Sequence, residues 1–388
     1  MLHRIAAWTS LRRPVAAAFL SAALWLLGGA GCSGSNEPLV IGIAGPFSQP
    51  RGRSMLLAAR LAVQEINQEG GVRGRQLVLD SLDDSASTVR AIAVAQQLRD
   101  DPRVLAVVGH LTSATTIVAA NIYNTGRRPL VSISPSASNP DLSGIGPYTF
   151  RVCATDLAHG SHLARFAVQQ LNARNASVTY LNDDYGRGIL GTFAEEFSRL
   201  GGTITARDPM LAGTTELSPY LEILQREGRA EVIMIAGDRT SAMAVLREAR
   251  GRGITLPIVG GDGLSGIEAE GALAEGVHVT SNYLPELAGE RNARFLAAYA
   301  EVSGGQLPDH RGAGAYDAVY LIAQAIRDAG ADRDDIRDAL ARLGKERPAY
   351  DGVTGRITFD ENGDVPDKSV YVGVIRGGRL VLADGQAR

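Results

Sequence analysis

From Leu39 onward the chain alternates short apolar runs with amphipathic segments, and it does so in two rounds. Leu39–Ala44 is an apolar run of strand length, and Ser54–Asn67 sets Leu56, Leu57, Ala59, Leu61, Ala62, Val63 and Ile66 largely on one helical side. Ser54 is the expected N-cap of that helix, and Gly70-Gly71 its stop. Gln76–Leu82 alternates as a strand, Ser87–Arg99 has helical spacing, and the apolar runs Val104–Val108 and Leu130–Ile133 flank an amphipathic Thr115–Asn124. After Phe150 the rhythm restarts. Helices are expected at His159–Leu171, Gly188–Leu200, Leu217–Glu227 and Ser241–Arg252, and strands at Ser177–Leu181, Thr203–Arg207, Val232–Ile235 and Ile258–Gly260. Strands alternating with helices imply parallel sheets built from right-handed βαβ units. The fold class is α/β, and two rounds imply two similar lobes. The last third reads as helices at Arg291–Val302, Gly314–Asp328 and Asp332–Leu343. A hairpin is then expected between Gly355–Phe359 and Val370–Ile375, turning at Asp360–Asp364 around Asn362-Gly363. No Pro- or Gly-rich linker separates the lobes, so the chain is expected to cross between them more than once.

Within the first round, Val107–Pro140 holds two strands that each end in a cluster of Ser, Thr and Gly. In an open parallel sheet such loops lie at the carboxyl ends of strands, where these sheets bind ligands. The loops carry hydrogen-bond donors and acceptors and no catalytic apparatus. They suggest a site for a small polar molecule.

The N-terminus reads as an export signal. Arg4, Arg12 and Arg13 precede the uncharged apolar run Val15–Leu27, which is short for a membrane span of roughly 20 residues. Gly28-Gly29-Ala30-Gly31-Cys32 follows, similar to the bacterial lipobox in which the Cys is lipidated, although Gly29 stands where Leu is usual. The alternative is an ordinary cleaved signal with a stray Cys. Residues 1–31 are thus read as a signal peptide and 32–37 as a tether. The protein would be exported, periplasmic or at the cell surface, and lipid-anchored through Cys32. The other cysteine, Cys153, reads as a buried small hydrophobe. With three arginines and no acid in residues 1–31, the rest of the chain carries 36 basic and 42 acidic side chains, a net charge of −6. That mild acidity argues against nucleic acid as a partner.

The segments AVQEINQEGGVRGR (62–75), Ala91–Leu98, Val108–Asn121, SISPSASNPDL (132–142), FRVCATD (150–156), DDYGRG (183–188), AYDAVYLIAQA (315–325) and GRITFDENGD (355–364) occur in an order that resembles one family. The chain is similar to the substrate-binding proteins of bacterial ABC importers, in the branch that binds leucine, isoleucine, valine and related amides. The resemblance covers nearly all of the chain after the signal. It implies two doubly wound parallel-sheet lobes joined by three hinge crossings, the type I periplasmic binding protein fold. Mapped here, the lobes are 38–152 with 283–371 and 153–282 with 372–388. It also implies a small-molecule ligand, an ABC permease as membrane partner, a monomer, and no cofactor or metal.

Ser113, Ala114, Thr115 and Thr116 open a helix, whose first turn offers unpaired N–H groups and a positive dipole end to an anion. From residues alone, Ser113 or Thr115 could equally be a helix cap. The resemblance places Ser113 on the ligand's α-carboxylate. Ser136, Ala137 and Ser138 match the second contact loop, shared between α-carboxylate and α-ammonium. Their plain reading is a Ser-rich turn beside Pro135 and Pro140. Asp262, between Gly261 and Gly263, matches the acid that neutralises the ammonium, and is otherwise a turn residue. Tyr185 matches an aromatic that closes over the ligand, and is otherwise a packing residue. Departures lie around the ligand's side chain: Arg51 replaces an aromatic, and Asp238 and Arg239 stand where another aromatic is common. Either they face solvent, or they face the cleft and the ligand is polar or charged.

Three functions compete. The first is an importer's capture protein, closing on an amino acid or related small polar molecule. The second is a sensor or regulator of the same fold, weakened because no signalling domain follows Arg388. The third is an enzyme, the least supported: there is no GxSxG, HExxH or Walker motif, and the six His have no ligand spacing. His110 lies near the site with no obvious acid partner in sequence.

Overall fold

A computed structural model of the chain describes residues 37–385, apart from 215–216, 220 and 223–227. The expected signal segment 1–31 and Cys32 lie outside the described residues, as does part of the helix expected at Leu217–Glu227.

Two large sheets organise the described residues. The first is wholly parallel, in the order β2 (Leu77–Asp83), β1 (Leu39–Gly45), β3 (Val104–Val108), β4 (Val131–Ser134), β5 (Thr149–Arg151). Helices α1 (Pro50–Gln68), α2 (Thr88–Asp100) and α3 (Ser113–Tyr123) connect its strands. The second sheet runs β14 (Arg379–Leu382), β13 (Tyr371–Arg376), β10 (His278–Ser281), β9 (Ile258–Gly260), β8 (Val232–Ala236), β6 (Asn175–Leu181), β7 (Thr203–Met210). It is parallel from β7 to β10, and β13 and β14 add an antiparallel edge. Helices α4 (Asp156–Gln169), α5 (Asp184–Arg199) and α6 (Arg239–Gly251) belong to this second lobe. The helices α7 (Glu290–Ser303), α8 (His310–Ala329) and α9 (Arg333–Ala341) return to the first.

The side-chain alternation of the strands feeds a core on each face. In the first lobe, Ile41 and Ile43 of β1 join Met55, Ala59 and Ala62 of α1 and Val319 and Ile322 of α8. On the opposite face Val107 meets Val94 and Leu98 of α2 and Ala119 and Tyr123 of α3. In the second lobe, Ile233 and Ile235 of β8 point to Val245 and Leu246 of α6. Their neighbours Val232 and Met234 point to Leu163 of α4 and Phe193 of α5. The chain crosses between lobes after β5, after β10 and before β13.

Two local expectations are corrected. Helix α1 starts at Pro50, four residues before Ser54, with Gln49 as N-cap. Pro suits a first helical position because its missing N–H would be unpaired there anyway. Gly52 lets this extra turn lie on Pro46, whose carbonyl oxygen would sit 2.2 Å from any Cβ. Ser54 instead donates to Asp309 at 2.7 Å. The hairpin also does not form: β12 (Gly355–Ile357) pairs with β11 (Tyr350–Gly352), and β13 pairs with β10 and β14. The Asn362-Gly363 turn docks on β5 instead, with Arg151 N–H donating to Gly363 O at 3.0 Å and Gly144 N–H to Asn362 O at 3.1 Å.

Candidate functional site

Both sheets reverse strand order at one point, between β1 and β3 in the first and between β6 and β8 in the second. Loops at such switch points diverge and leave a crevice. The loops after β3 and β4 and the starts of α1, α3 and α8 form the first-lobe wall. The starts of α4, α5 and α6 and the loop after β9 form the other.

In the first lobe, Thr112 is the N-cap of α3 and accepts from Thr115 N–H at 3.4 Å. The Thr115 hydroxyl turns back to Thr112 O at 3.1 Å and Thr116 does the same at 2.7 Å. The polar groups of Thr115 are therefore used within the turn. Ser113 differs: its oxygen accepts from Asn139 N–H at 3.3 Å, which leaves its own proton to donate. In the next loop, Ser134 Oγ accepts from Ala137 N–H at 3.0 Å. The Ala137 carbonyl accepts from Arg151 Nη1 at 3.3 Å and from Cys153 Sγ at 3.4 Å. Ala137 thus has its backbone committed, while the buried Ser138 hydroxyl faces the Asp156 carboxyl, whose charged form it favours.

Arg151 is the brace behind this loop. Its guanidinium also reaches Asn139 O at 2.8 Å and Ser143 Oγ, and it pairs with Asp364 at 2.6 Å. Asp364 comes from the turn expected to close a hairpin. The turn instead supports the loop that carries Ser136–Ser138.

In the second lobe, Asp183 caps α5 by accepting from Gly186 N–H at 2.8 Å, which places Tyr185 in the first turn. The Tyr185 hydroxyl donates to Asp262 Oδ1 at 2.9 Å and accepts from Gly263 N–H at 2.8 Å. The glycines around Asp262 serve this ring: a Cβ on Gly261 would lie 2.3 Å from the Tyr185 oxygen, and one on Gly263 2.6 Å from its ring. Burial and the Asp262 charge push the Tyr185 phenol well above its ordinary range, so it stays a donor. Burial tends to raise the Asp262 carboxyl, but His159, His310, Arg311 and Tyr185 outweigh it and hold the group below the usual range. At neutral pH the work falls to Arg311 and Tyr185, because burial lowers His159, and burial and Arg311 lower His310 to about 4.

His310 and Arg311 were not singled out from sequence. Their only signal was a polar Asp309-His310-Arg311 triple opening an apolar helix. Asp309 caps α8, and His310 Nε2 lies 3.2 Å from Ser136 Oγ and 3.4 Å from Asp262 Oδ2, with Nδ1 3.2 Å from Ser265 Oγ. Arg311 donates to the carbonyls of Asp262 at 3.2 Å, Gly263 at 3.3 Å and Ser265 at 3.4 Å, and to Asp309 at 3.0 Å. These two side chains join the lobes.

Arg51 and Asp238 oppose each other across the lobes at 3.7 Å, with side chains 24% and 29% exposed. Burial and the Arg311 charge lower the Arg51 pKa. Asp238 also caps α6 through Ser241 N–H at 3.0 Å. Arg239 does not join them: it donates to Gly266 O at 3.0 Å and pairs with Glu270, inside the second lobe. His110 gains the acid partner that sequence did not reveal, Asp84 at 2.6 Å, and lies 3.2 Å from the Tyr123 hydroxyl. All three side chains are fully buried, with Tyr123 on the last turn of α3, so His110 is closed off from solvent.

Two α/β lobes, three crossings and a polar crevice at facing switch points define a hinged ligand-binding protein. The chain belongs to the periplasmic binding protein family, whose model matches residues 38–379. An amino acid binding protein of Pseudomonas aeruginosa is 28% identical over 347 residues, 86% of this chain and 89% of that one. The solved branched-chain amino acid transporter substrate-binding protein of Streptococcus pneumoniae, in complex with isoleucine, is 28% identical with a TM-score of 0.80, covering 89% of this chain and 99% of that one. An ABC transporter substrate-binding protein of Desulfitobacterium hafniense, in complex with Leu, is 31% identical with a TM-score of 0.77, covering 89% and 100%. Among the described residues no helix is long and apolar enough to cross a membrane.

Proposed function

We propose that this protein captures an α-amino acid outside the cytoplasm and delivers it to the permease of an ABC importer. One observation carries the reading: a single side chain, His310, lies within 3.4 Å of both Ser136 and Asp262, so loops far apart in sequence meet at one polar point. Ser113 and the open N-terminus of α3 supply donors for the α-carboxylate, and Asp262, held by Tyr185 and Arg311, supplies negative charge for the ammonium. The jaws are residues 38–152 with 283–371 and 153–282 with 372–388. Ligand bound to both favours the closed form by differential affinity.

The relatives named for leucine or isoleucine complexes make an aliphatic amino acid the first candidate. Arg51 and Asp238, facing each other across the lobes, favour a side chain that hydrogen-bonds, because an aliphatic group beside a half-buried charge strips water from it without compensation. The exported chain is anchored through lipid on Cys32 and works as a monomer.

The test is calorimetry of the full chain against the twenty L-amino acids. Binding by at least one, lost in Ser113→Ala and Asp262→Ala, supports the reading. A wild type that binds none overturns it. Mass spectrometry of the membrane-extracted protein tests the anchor: an unmodified Cys32 rejects it.

A further inference from the structure

One strand beside each switch point delivers a charged residue to the crevice. Strand β1 runs into α1, whose first turn carries Arg51, and β8 runs into α6, whose N-cap is Asp238. Arg51 is held from its own lobe. The Gln49 side chain accepts from Arg51 Nε at 2.9 Å, and neither Nη makes a hydrogen bond among the described residues. Asp238 is held likewise, with Oδ1 accepting from Ser241 N–H while Oδ2 faces Arg51. The 3.7 Å from Nη1 to Oδ2 is too long for a hydrogen bond. A donor and an acceptor thus stand side by side, each with capacity to spare. Contacts tie the pair to the rest of the cleft. Ser54, one turn on from Arg51, donates to Asp309 at 2.7 Å, Asp309 accepts from Arg311 at 3.0 Å, and Arg311 donates to Asp262 O at 3.2 Å. Burial and then Arg311 lower the Arg51 pKa, while Asp238, Asp183 and Asp84 oppose them, so charges of both signs face this guanidinium.

We propose that Arg51 and Asp238 together select an α-amino acid whose side chain ends in a carboxamide, as in asparagine or glutamine. The inference rests on the amino-acid reading and names the substrate class within it. A carboxamide carries an acceptor oxygen and N–H donors on neighbouring atoms. Its oxygen accepts from an Arg51 Nη and its N–H donates to Asp238 Oδ2, so both spare groups are met and no charge is added to a balanced pair. A carboxylate gains Arg51 but brings a like charge to Asp238, with Asp183 and Asp84 adding to the repulsion. An ammonium gains Asp238 but meets Arg51 and Arg311. An aliphatic side chain strips water from both groups and returns no hydrogen bond. The bond from Gln49 fixes the guanidinium beforehand, which lowers the ordering cost of binding.

The experiment is calorimetry of the full chain with asparagine, glutamine, aspartate, glutamate, lysine and leucine. Wild type should bind the better carboxamide on the order of tenfold more tightly than its acid and than leucine, the low end of the worth of a hydrogen bond to a charged group because the pair is partly exposed. Asp238→Asn keeps a good N-cap on α6 and removes the charge. It should lower the ratio of carboxamide to acid affinity about tenfold, with the acid gaining. Arg51→Met keeps the length of the side chain and removes its donors. It should lower the ratio of carboxamide to leucine affinity about tenfold, with leucine gaining. A wild type that prefers leucine, lysine or an acid to both carboxamides overturns the proposal and leaves the amino-acid reading intact. So does a ratio unmoved in either variant. If wild type binds no L-amino acid, the amino-acid reading falls and this proposal with it.

Discussion

The brace formed by Arg151 and Asp364 ties the ligand loop to a turn more than 200 residues away in sequence, so its loss should be felt in both stability and binding. Arg151 is 1% exposed and donates to Asp364, Ala137 O, Asn139 O and Ser143 Oγ. Asp364 also accepts from Ser143 Oγ at 2.7 Å. Arg151→Met takes the charged donor from the Asp364 carboxylate, which keeps only the Ser143 hydroxyl, leaves the Asn139 carbonyl without a donor and the Ala137 carbonyl with the weak Cys153 thiol alone. Breaking one side of a buried pair costs roughly 3–5 kcal/mol, against about 5–15 kcal/mol for a whole domain. For a lobe-sized unit that corresponds to a fall in Tm of roughly 6–20 °C. Asp364→Leu should cost a similar amount by stranding the guanidinium, whereas Arg151→Met with Asp364→Leu should cost little more than either alone. Urea unfolding of the four proteins measures this directly. The loop Ser136–Ser138 should also lose definition, and ligand affinity should fall in each variant. Single variants within about 1 kcal/mol of wild type, or costs that simply add, would refute the brace.

Further outcomes follow from the cleft. Tyr185→Phe removes the donor to Asp262 and the acceptor for Gly263 N–H, and should weaken ligand binding by about 1.5–3 kcal/mol without unfolding the chain; calorimetry checks it, and wild-type affinity speaks against the role. Arg51→Ala should change stability by less than about 1 kcal/mol, because the 3.7 Å pair with Asp238 is partly exposed, yet it should shift selectivity toward aliphatic amino acids. His310 titrates near 4 in the folded chain instead of its ordinary 6.5. The unfolded chain therefore binds the extra proton between these values, and stability should fall as pH drops from 6.5 through 4, by on the order of 3 kcal/mol. His310→Gln should flatten that part of the stability profile.

The two-lobed fold was legible because its signal is periodic. Ile41 and Ile43, or Val232 and Met234, announce which face of a strand is buried. The Asn362-Gly363 turn was visible, but its partner was not. Turn residues fix local geometry, while the Arg151–Asp364 pair and the hydrogen bonds to β5 decide where the turn docks. Likewise Pro50 and Gly52 started α1 earlier than Ser54 suggested, since a Pro at the first position and a close approach to Pro46 override a polar cap signal. At the site, the hydroxyl-rich loops were readable from local composition. His310 and Arg311 were not, because each matters only through partners that the fold assembles. Arg239 shows the converse: it is adjacent to Asp238 in sequence and turned away from it in space.

The measurement that bears most directly on the account is a calorimetric titration of the full chain with each L-amino acid, repeated with Ser113→Ala and Asp262→Ala. The expected result is saturable one-to-one binding of at least one amino acid, with a hydrogen-bonding side chain preferred and affinity lost in both variants. Absence of binding across all twenty, or binding indifferent to both substitutions, would contradict it.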